Sequence, residues 1–328
     1  MAPVQLKLFE KTVNINNRKY IGAKYRLLEF IAGTILAKAG KIGTFIDGFA
    51  GTGVVGNHFR KYSDKIISND ILFSNFVINK AFLNSTEENV SINRVSKLLN
   101  VLNNSKGLKG YVYDHYGGSY FTHPNAALID AVREGIESFY LNGECSLQEK
   151  YVLLTSLIFA MDKAANTVGQ YDAFLKHIGT DSHDPGGRHV IDSNVYKPVR
   201  LKLPALRFGG SNEAYNEDIN DLIQRVSGEV LYLDPPYNSR QYIDCYHVLE
   251  NIVKWEKPVL FGKTRKFKRD GLKSRYSRKA ESVSAFRELI AAARVDHVFL
   301  SYNNEGIQAG VSKRRAIKER LFYCRVKK

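Results

Sequence analysis

Two short apolar runs, separated by a glycine-rich turn and a helical pattern, mark the first part of the chain. Residues 41–47 predict a buried strand, residues 48–53 a tight turn, and residues 54–61 the start of a helix. Residues 65–70 predict a second strand that ends in an acid, and residues 25–39 show helical periodicity before the first strand. This order is a β–loop–α–β unit, the building block of a parallel α/β sheet.

The middle of the chain has a different pattern, because residues 84–210 are mostly helical or irregular. Residues 125–141 and 146–165 place apolar side chains at helical spacing. Strands resume at residues 229–233 and 296–301, and their apolar, β-branched composition indicates burial.

The two ends of the chain therefore predict a single α/β domain, and the middle predicts a largely helical insertion. We assign residues 1–83 and 211–328 to the α/β domain and residues 84–210 to the insertion. A length of 328 residues with 44% apolar and 25% charged side chains is sufficient for a substantial core and ordinary for a globular protein.

Charge adds more information than overall composition. The 48 Lys and Arg residues exceed the 33 Asp and Glu residues by 15, which favours a polyanionic partner, nucleic acid first and an anionic membrane surface second. Residues 257–279 are the densest basic stretch, with ten Lys or Arg, a single acid and interleaved aromatic rings. We expect this run to bind nucleic-acid phosphates, with a solvated loop as the alternative. The expected contacts are Lys263, Arg265, Lys266, Lys268, Arg269, Lys273 and Arg275.

Several other classes of protein are disfavoured. Three scattered cysteines without a CxxC motif indicate neither a disulfide framework nor a zinc site, and the loop with His183 and His189 is interpreted as polar, not metal-binding. The longest apolar stretch, residues 151–161, is too short to span a bilayer, and residues 1–11 lack the apolar core of a secretory signal. We therefore expect a cytoplasmic protein without a metal or a membrane association.

The most informative motif is the end of the strand at residues 231–233, which is followed by Asp234, Pro235, Pro236 and Tyr237. Neither proline has an N–H to donate and both have a fixed φ, so the strand must stop there. The result is a rigid segment with a carboxylate, a proline carbonyl and an aromatic ring. The two oxygen acceptors suit an exocyclic NH2 group, and the ring suits the face of a planar base. The alternative is a strand followed by a Pro-Pro turn.

A second motif is the turn from Asp47 through Phe49, Ala50, Gly51, Thr52 and Gly53. A Gly-rich turn between a strand and a helix brings backbone N–H groups near a ligand, and Asp70, at the end of the next strand, lies where acids accept hydrogen bonds from ribose hydroxyls. The turn lacks the GxGxxG spacing, and no GxxxxGK[ST] occurs. An adenosine-bearing cofactor other than NAD fits best. The alternatives are a turn that serves sheet packing alone and a helix cap at Asp70.

These motifs together resemble the D12 class (Dam-like group) of DNA adenine-N6 methyltransferases of type II restriction–modification systems. The turn at residues 47–53 is similar to the S-adenosylmethionine loop of that class, and residues 234–237 to its catalytic motif. Residues 20–28 resemble the segment that flanks the cofactor, and residues 301–306 a later S-Y-N-N motif. The resemblance implies a Rossmann-like methyltransferase sheet with an inserted target-recognition domain. It also implies S-adenosylmethionine-binding roles for Tyr20, Lys24, Asp47, Phe49, Ala50, Gly51, Thr52, Gly53, Asp70 and Asp218.

The activity that the resemblance implies is methylation of adenine N6 in double-stranded DNA, with the adenine flipped out of the helix. Asp234 and the Pro235 carbonyl would accept the two N6–H bonds while Tyr237 stacks on the base. A monomer is expected, with a restriction endonuclease as a genetic partner and a CATG-like palindrome as one possible target.

Alternatives to this activity are methylation of RNA adenine, of cytosine N4 in DNA or of a protein amide, and a catalytically silent DNA-binding regulator. Residues 312–328 are basic with poor hairpin character, so we expect the end of the chain to depart from the final β-hairpin of the class.

Overall fold

The computed structural model describes residues 12–18, 20–175, 193–236, 240–269, 271–303 and 319–325. These residues divide into two compact units. The sheet unit comprises the described residues within Gly22–Asn79, Gly209–Cys245 and Arg269–Lys328. The helical unit comprises those within Met1–Ile21, Lys80–Phe208 and Tyr246–Lys268. The assignment of residues 84–210 to a target-recognition insertion stays a prediction.

The sheet unit contains a six-stranded, mostly parallel sheet with the strand order β3-β2-β1-β4-β5-β6. Strands β1 to β5 run parallel, and β6 pairs antiparallel with β5. The prediction of an α/β fold is therefore confirmed. The strands are β1 Ile42–Asp47, β2 Ser63–Asn69, β3 Glu213–Tyr215, β4 Ser227–Leu233, β5 Arg294–Asn303 and β6 Glu319–Arg325.

The predicted strands form because their apolar runs are buried on both faces, as is usual for parallel sheets. Ile46 lies beside Ile67 and Leu231 on neighbouring strands, and all three belong to one apolar core. Phe45, one position earlier and so on the opposite face, stacks on Phe59 with ring centroids 4.0 Å apart. Strand β4 is buried at its last four positions, which fixes the point where the following motif begins.

Ten α-helices occur in the described part of the chain. The helical patterns at residues 125–141 and 146–165 are confirmed as α6 and α7, with ends shifted by no more than two residues. The helices are α1 Leu28–Ala39, α2 Val54–Phe59, α3 Phe73–Leu83, α4 Ile92–Asn103, α5 Tyr111–Tyr116, α6 His123–Leu141, α7 Leu147–Ala164, α8 Ile219–Leu222, α9 Tyr242–Lys254 and α10 Ser282–Ala292.

Buried carboxylates cap helix N-termini in the helical unit. Asp130 accepts hydrogen bonds from the backbone N–H groups of Gly110, Val112 and Tyr113, and so caps the start of α5. Helix α7 is almost entirely buried along its apolar residues, as expected of a core helix. No helix among the described residues is long and apolar enough to cross a membrane.

The C-terminal region contains a strand that its sequence pattern does not indicate. Residues 312–328 have poor hairpin character in sequence, yet β6 within them pairs antiparallel with β5 over seven residues, from His297↔Arg325 to Asn303↔Glu319. The expected departure from the final β-hairpin of the class stays a prediction. An edge strand obtains its hydrogen bonds from the neighbouring strand, and one face of it stays in solvent, so it does not need a strongly apolar sequence.

Glu149 offers a test of the capping in the helical unit. Its fully buried carboxylate accepts hydrogen bonds from the N–H groups of Ser91 and Ser146 and from Arg94 Nε, at 2.9 to 3.0 Å. We expect Glu149→Ala to lower the free energy of unfolding by about 2–3 kcal/mol, because a capping box is lost and buried donors are left unsatisfied. Exposed Glu144→Ala is the control, with a change within about 0.5 kcal/mol in chemical denaturation. Equal effects of the two substitutions would contradict this assignment.

Candidate active site

The strand order places two of the candidate carboxylates at one edge of the sheet. From β1 the sheet continues to β2 and β3 on one side and to β4 and β5 on the other, so the order reverses between β1 and β4. Parallel α/β sheets bind ligands outside the carboxyl ends of the strands at such a reversal. Asp47 is the last residue of β1, and Asp234 directly follows β4.

Asp234 lies against a lysine from the N-terminal part of the sheet unit. Lys24 Nζ is 2.6 Å from Asp234 Oδ2 and also donates to the Gly22 carbonyl at 2.9 Å. The Lys24 side chain is only 3% exposed, and that of Asp234 17%. Pro235 is buried and Pro236 partly buried, whereas Tyr237 lies outside the described residues. The motif therefore presents a partly accessible carboxylate with one buried cation beside it.

Backbone geometry makes the turn after β1 dependent on glycine. Gly51 and Gly53 have φ of 53° and 79°, values that glycine adopts without strain. The turn is closed by hydrogen bonds from Ala50 N to Asn69 O at 2.9 Å and from Gly53 N to Ala50 O at 2.7 Å. Thr52 is buried within the same turn. Backbone hydrogen bonds within the protein therefore fix the conformation of the turn.

Asp70 connects this turn to the next helix. Its Oδ2 accepts the Gly51 N–H at 2.8 Å, and its Oδ1 accepts the Leu72 N–H at 2.8 Å, one residue before α3 begins. The helix-cap interpretation of Asp70 therefore describes a contact that exists. A ribose-binding role stays a prediction, since a carboxylate has further lone pairs.

Burial perturbs the ionisation of Asp47. It is buried, its Oδ2 accepts the Gly56 N–H at 3.0 Å, and its buried Oδ1 has no hydrogen-bond partner among the described residues. Burial raises the pKa of Asp47 to about 7; the Gly56 hydrogen bond opposes this shift, Asp234 and Asp70 add to it, and Lys24 partly opposes it. Among the described residues, two further carboxylates, Asp70 and Asp234, and the Lys24 ammonium thus act on Asp47.

Phe49 contacts the Tyr276 ring, and both Tyr276 and Asp218 form hydrogen bonds with Asn220. The Phe49 ring meets the Tyr276 ring edge-on, with centroids 4.9 Å apart, and the Tyr276 hydroxyl donates to Asn220 Oδ1 at 2.6 Å. Asp218 caps α8 by accepting the Asn220 N–H at 2.9 Å. Tyr20 differs from the other predicted cofactor residues, because it lies in the helical unit, where it stacks on Tyr246 at 4.5 Å.

Two asparagines that the sequence patterns did not indicate donate hydrogen bonds to backbone carbonyls around this site. Asn69 donates to the carbonyls of Gly48 and Glu217 at 3.3 and 3.1 Å, and Asn79 donates to the Gly51 carbonyl at 3.1 Å. The position of Asn69 beside Asp70 at a strand end was a usable signal. Nothing in the sequence around Asn79 indicated its role.

The basic run at residues 257–279 is only partly available for a ligand. Arg269 pairs with Asp244 at 2.8 Å, and Arg275 forms two bonds to Glu288 at 2.7 and 2.9 Å. Lys263, Arg265, Lys268 and Lys273 are exposed and Lys266 is partly exposed. Of the interleaved aromatic rings, Phe267 and Tyr276 are buried core residues and only Phe261 is exposed.

A tight turn presents two of these cations. Phe261 and Lys266 exchange backbone hydrogen bonds at 2.8 and 3.0 Å, so that Lys263 and Arg265 stand between them. His247 Nε2 is 2.8 Å from the Thr264 carbonyl and anchors the turn to α9.

Among the described residues, no cluster of His, Cys, Asp and Glu could hold a metal ion, and the loop with His183 and His189 lies outside them.

Comparisons with known proteins agree on one family. Residues 20–311 match the model of the D12 class N6 adenine-specific DNA methyltransferases. The chain is 36% identical to the type II methyltransferase M.NlaIII of Neisseria lactamica, over 92% of this chain and 88% of that protein. It is also 36% identical to the modification methylase StsI of Streptococcus sanguinis and 35% identical to the type II methyltransferase M.FokI of Planomicrobium okeanokoites, over 88% of this chain in each case. The chain spans about half the length of these two proteins, 44% and 45%.

The raised pKa of Asp47 predicts a pH-dependent stability. An acid whose pKa rises from 3.8 in the unfolded chain to about 7 in the folded one stabilises the fold fully below pH 4 and progressively less as the pH rises through 7. We expect Asp47→Asn to remove this component and to stabilise the ligand-free protein at pH 8 by at least about 1 kcal/mol, since one pKa unit corresponds to about 1.4 kcal/mol. Denaturant titrations at several pH values measure it. An equal pH dependence in wild type and variant would contradict the assignment.

Gly53 provides a test of the turn. A Cβ atom at this position would overlap Asn79 Oδ1, and φ is positive, so Gly53→Ala is unfavourable for two reasons. We expect a loss of about 2 kcal/mol in the free energy of unfolding, from backbone strain and from the displaced amide. Gly33→Ala is the control, because it lies within helix α1, has open space around its Cβ position, and replaces glycine with a better helix former. Equal stability of the two variants would show that the turn rearranges freely.

Proposed function

The chain belongs to the D12 class of N6 adenine-specific DNA methyltransferases, which use S-adenosylmethionine, and we propose that it methylates adenine at a specific sequence in double-stranded DNA as part of a type II restriction–modification system. The type II assignment rests on the names of relatives such as M.NlaIII. Residues 84–210, most of which belong to the helical unit, are the proposed target-recognition insertion. A monomer in the cytoplasm, with a restriction endonuclease as genetic partner, completes the proposal.

One observation supports the catalytic assignment above the others. The Asp234 carboxylate follows the buried end of β4, beside the buried ammonium of Lys24, at the edge of the sheet where the strand order reverses. The fixed φ angles of Pro235 and Pro236 restrict the backbone next to this carboxylate. Such a preorganised acceptor is what transfer to an exocyclic amine requires, since the amine must be held in one orientation.

The charge of the site fits the proposed methyl donor. S-adenosylmethionine carries a sulfonium and an α-ammonium group, and when bound it supplies an electrophilic methyl group. Asp47, Asp70 and Asp234 outnumber the single neighbouring cation, Lys24, and Asp47 Oδ1 is buried without a hydrogen-bond partner among the described residues. A positively charged ligand would therefore offset an unfavourable concentration of negative charge.

The proposed roles of the residues follow from their chemistry. Asp234 and the Pro235 carbonyl accept the N–H bonds of adenine N6, which directs the nitrogen lone pair away from them, and Pro236 fixes the turn. Tyr237, outside the described residues, is proposed to stack on the flipped base. Methylation leaves one surplus proton on the nitrogen, and the Asp234 carboxylate is the adjacent acceptor.

The remaining predicted site residues are proposed to hold the cofactor and the DNA. Lys24, Phe49, Ala50, Gly51, Thr52, Gly53, Asp70, Asp218 and Tyr20 are the proposed cofactor-binding set with Asp47. Lys263 and Arg265, exposed on a fixed turn, are the best-supported DNA contacts of the basic run. Arg269 and Arg275 are less suited, because carboxylates already neutralise them.

Substitution of Asp234 tests the proposed chemistry. We expect Asp234→Asn to lower the rate of methyl transfer on the order of 10²–10³-fold, because its amide can no longer present two anionic acceptor oxygens, while cofactor binding is largely kept. Exposed Asp221→Asn is the control and should retain wild-type activity. The measurement is transfer of radioactive methyl groups to DNA, with cofactor binding by calorimetry and folding by circular dichroism.

The product identifies the acceptor. Digestion of methylated DNA to nucleosides should yield N6-methyladenine. Recovery of N4-methylcytosine, or a folded Asp234→Asn variant with wild-type transfer, would contradict the proposal.

A further inference from the structure

In residues 195–205 of the helical unit, buried apolar and outward cationic side chains alternate from Val199 to Leu203. Val199, Leu201 and Leu203 are buried, whereas Arg200 between them is exposed and Lys202 is partly exposed. This is the period-two pattern of an extended chain with one face on a core. It falls outside the basic run identified from charge density.

Polar side chains from helices, and not a neighbouring strand, satisfy much of the backbone of this segment between Val195 and Lys202. The Asn125 amide donates to the carbonyls of Val195 and Lys197 at 3.0 Å and accepts the Val199 N–H at 3.0 Å. Asn125 is 2% exposed and lies in the first turn of α6. Three hydrogen bonds from one rigid side chain therefore fix the direction in which Lys197 leaves the segment.

The same arrangement continues along the segment. Asn103 at the end of α4 exchanges two hydrogen bonds with Leu201, at 3.0 and 2.8 Å. Ser156 of α7 exchanges two with Lys202, at 2.7 and 2.9 Å. Three helices thus hold one strand-like segment, and its cationic residues start from an ordered backbone.

These cations line a cavity of about 660 Å³ together with Lys163. The cavity also contains Arg18 and Asp162, but these two neutralise each other, with Arg18 Nε 2.7 Å from Asp162 Oδ2. Lys163, Lys197, Arg200 and Lys202 form no ion pair with a carboxylate of the described residues. We call these four residues the cationic ledge.

We propose that the cationic ledge binds successive phosphate groups of one strand of duplex DNA and so positions the DNA on the helical unit. Four cations without a carboxylate partner in the described part of the chain make a local excess of positive charge, which a polyanion neutralises with release of its counterions. The ordered backbone lowers the entropy lost on binding, because only the side-chain ends remain to be immobilised. Contacts of this kind set register and orientation and carry no sequence information themselves. The inference rests on the proposed function for its choice of DNA as the polyanion.

The test compares two triple variants that lose the same charge. One is Lys197→Gln with Arg200→Gln and Lys202→Gln on the ledge. The control is Lys97→Gln with Lys106→Gln and Lys109→Gln, three exposed lysines of the same unit that do not line the cavity. Binding of the full chain to a fluorescent DNA duplex is measured by anisotropy from 50 to 200 mM salt. Thermal unfolding verifies that both variants fold.

We expect the ledge variant to make the plot of log K against log [salt] shallower by about 0.9 per lost contact, nearly 3 in all, and the control to change it by less than about 1. The loss should be the same on duplexes of unrelated sequence, since phosphates are common to all. A ledge variant with the salt slope of the control would overturn the proposal, as would a loss confined to one sequence.

The outcome is separable from that of the proposed function. Wild-type protein that methylates adenine while the ledge variant binds DNA with an unchanged salt slope would refute the ledge alone. Wild-type protein that methylates no DNA, together with a ledge variant of weakened DNA binding, would refute the methyltransferase assignment and leave the ledge standing.

Discussion

The grouping of three carboxylates, one of them fully buried, at the carboxyl ends of β1, β2 and β4 is the constraint on which the sheet unit depends. Asp47 is removed from water, with a pKa raised to about 7 chiefly by burial and further by its two neighbouring carboxylates. The Lys24 ammonium offsets part of this negative charge, and hydrogen bonds from the backbone N–H groups of Gly56, Gly51 and Leu72 offset a further part. The ligand-free site is therefore less stable than a neutral one, and a cationic ligand would relieve the imbalance.

The same acids give the site its shape. Asp70 joins the glycine-rich turn to α3, while Asn69 and Asn79 tie that turn to the strand ends. Because these bonds exist without a ligand, the turn is ordered in advance and little conformational entropy remains to be lost on binding. Asp70 and the turn residues that we propose as cofactor contacts thus also hold the loop, so their substitution affects stability as well as any binding.

In the helical unit, the buried polar side chains and the positively charged side chains have separate roles. Asp130, Glu149 and Asn125 are buried and satisfy backbone groups, whereas the cations of the ledge point away from the core. Density of positive residues along the sequence is therefore a poor measure of available charge. Arg269 and Arg275 lie in the long basic run and are paired with acids, while Arg200 lies outside that run and has no carboxylate partner among the described residues.

Local patterns determined much of this protein from the sequence alone: strands β1, β2, β4 and β5, the glycine-rich turn, α6 and α7 within two residues, and the family through its motifs. They could not determine β6, whose strand structure comes from pairing with β5, nor the contact between Lys24 and Asp234, nor the three helices that hold residues 195–205. Each of these depends on partners distant along the chain. Propensity and periodicity report a residue's neighbours in sequence, whereas hydrogen-bond partners, burial and available charge are decided by neighbours in space.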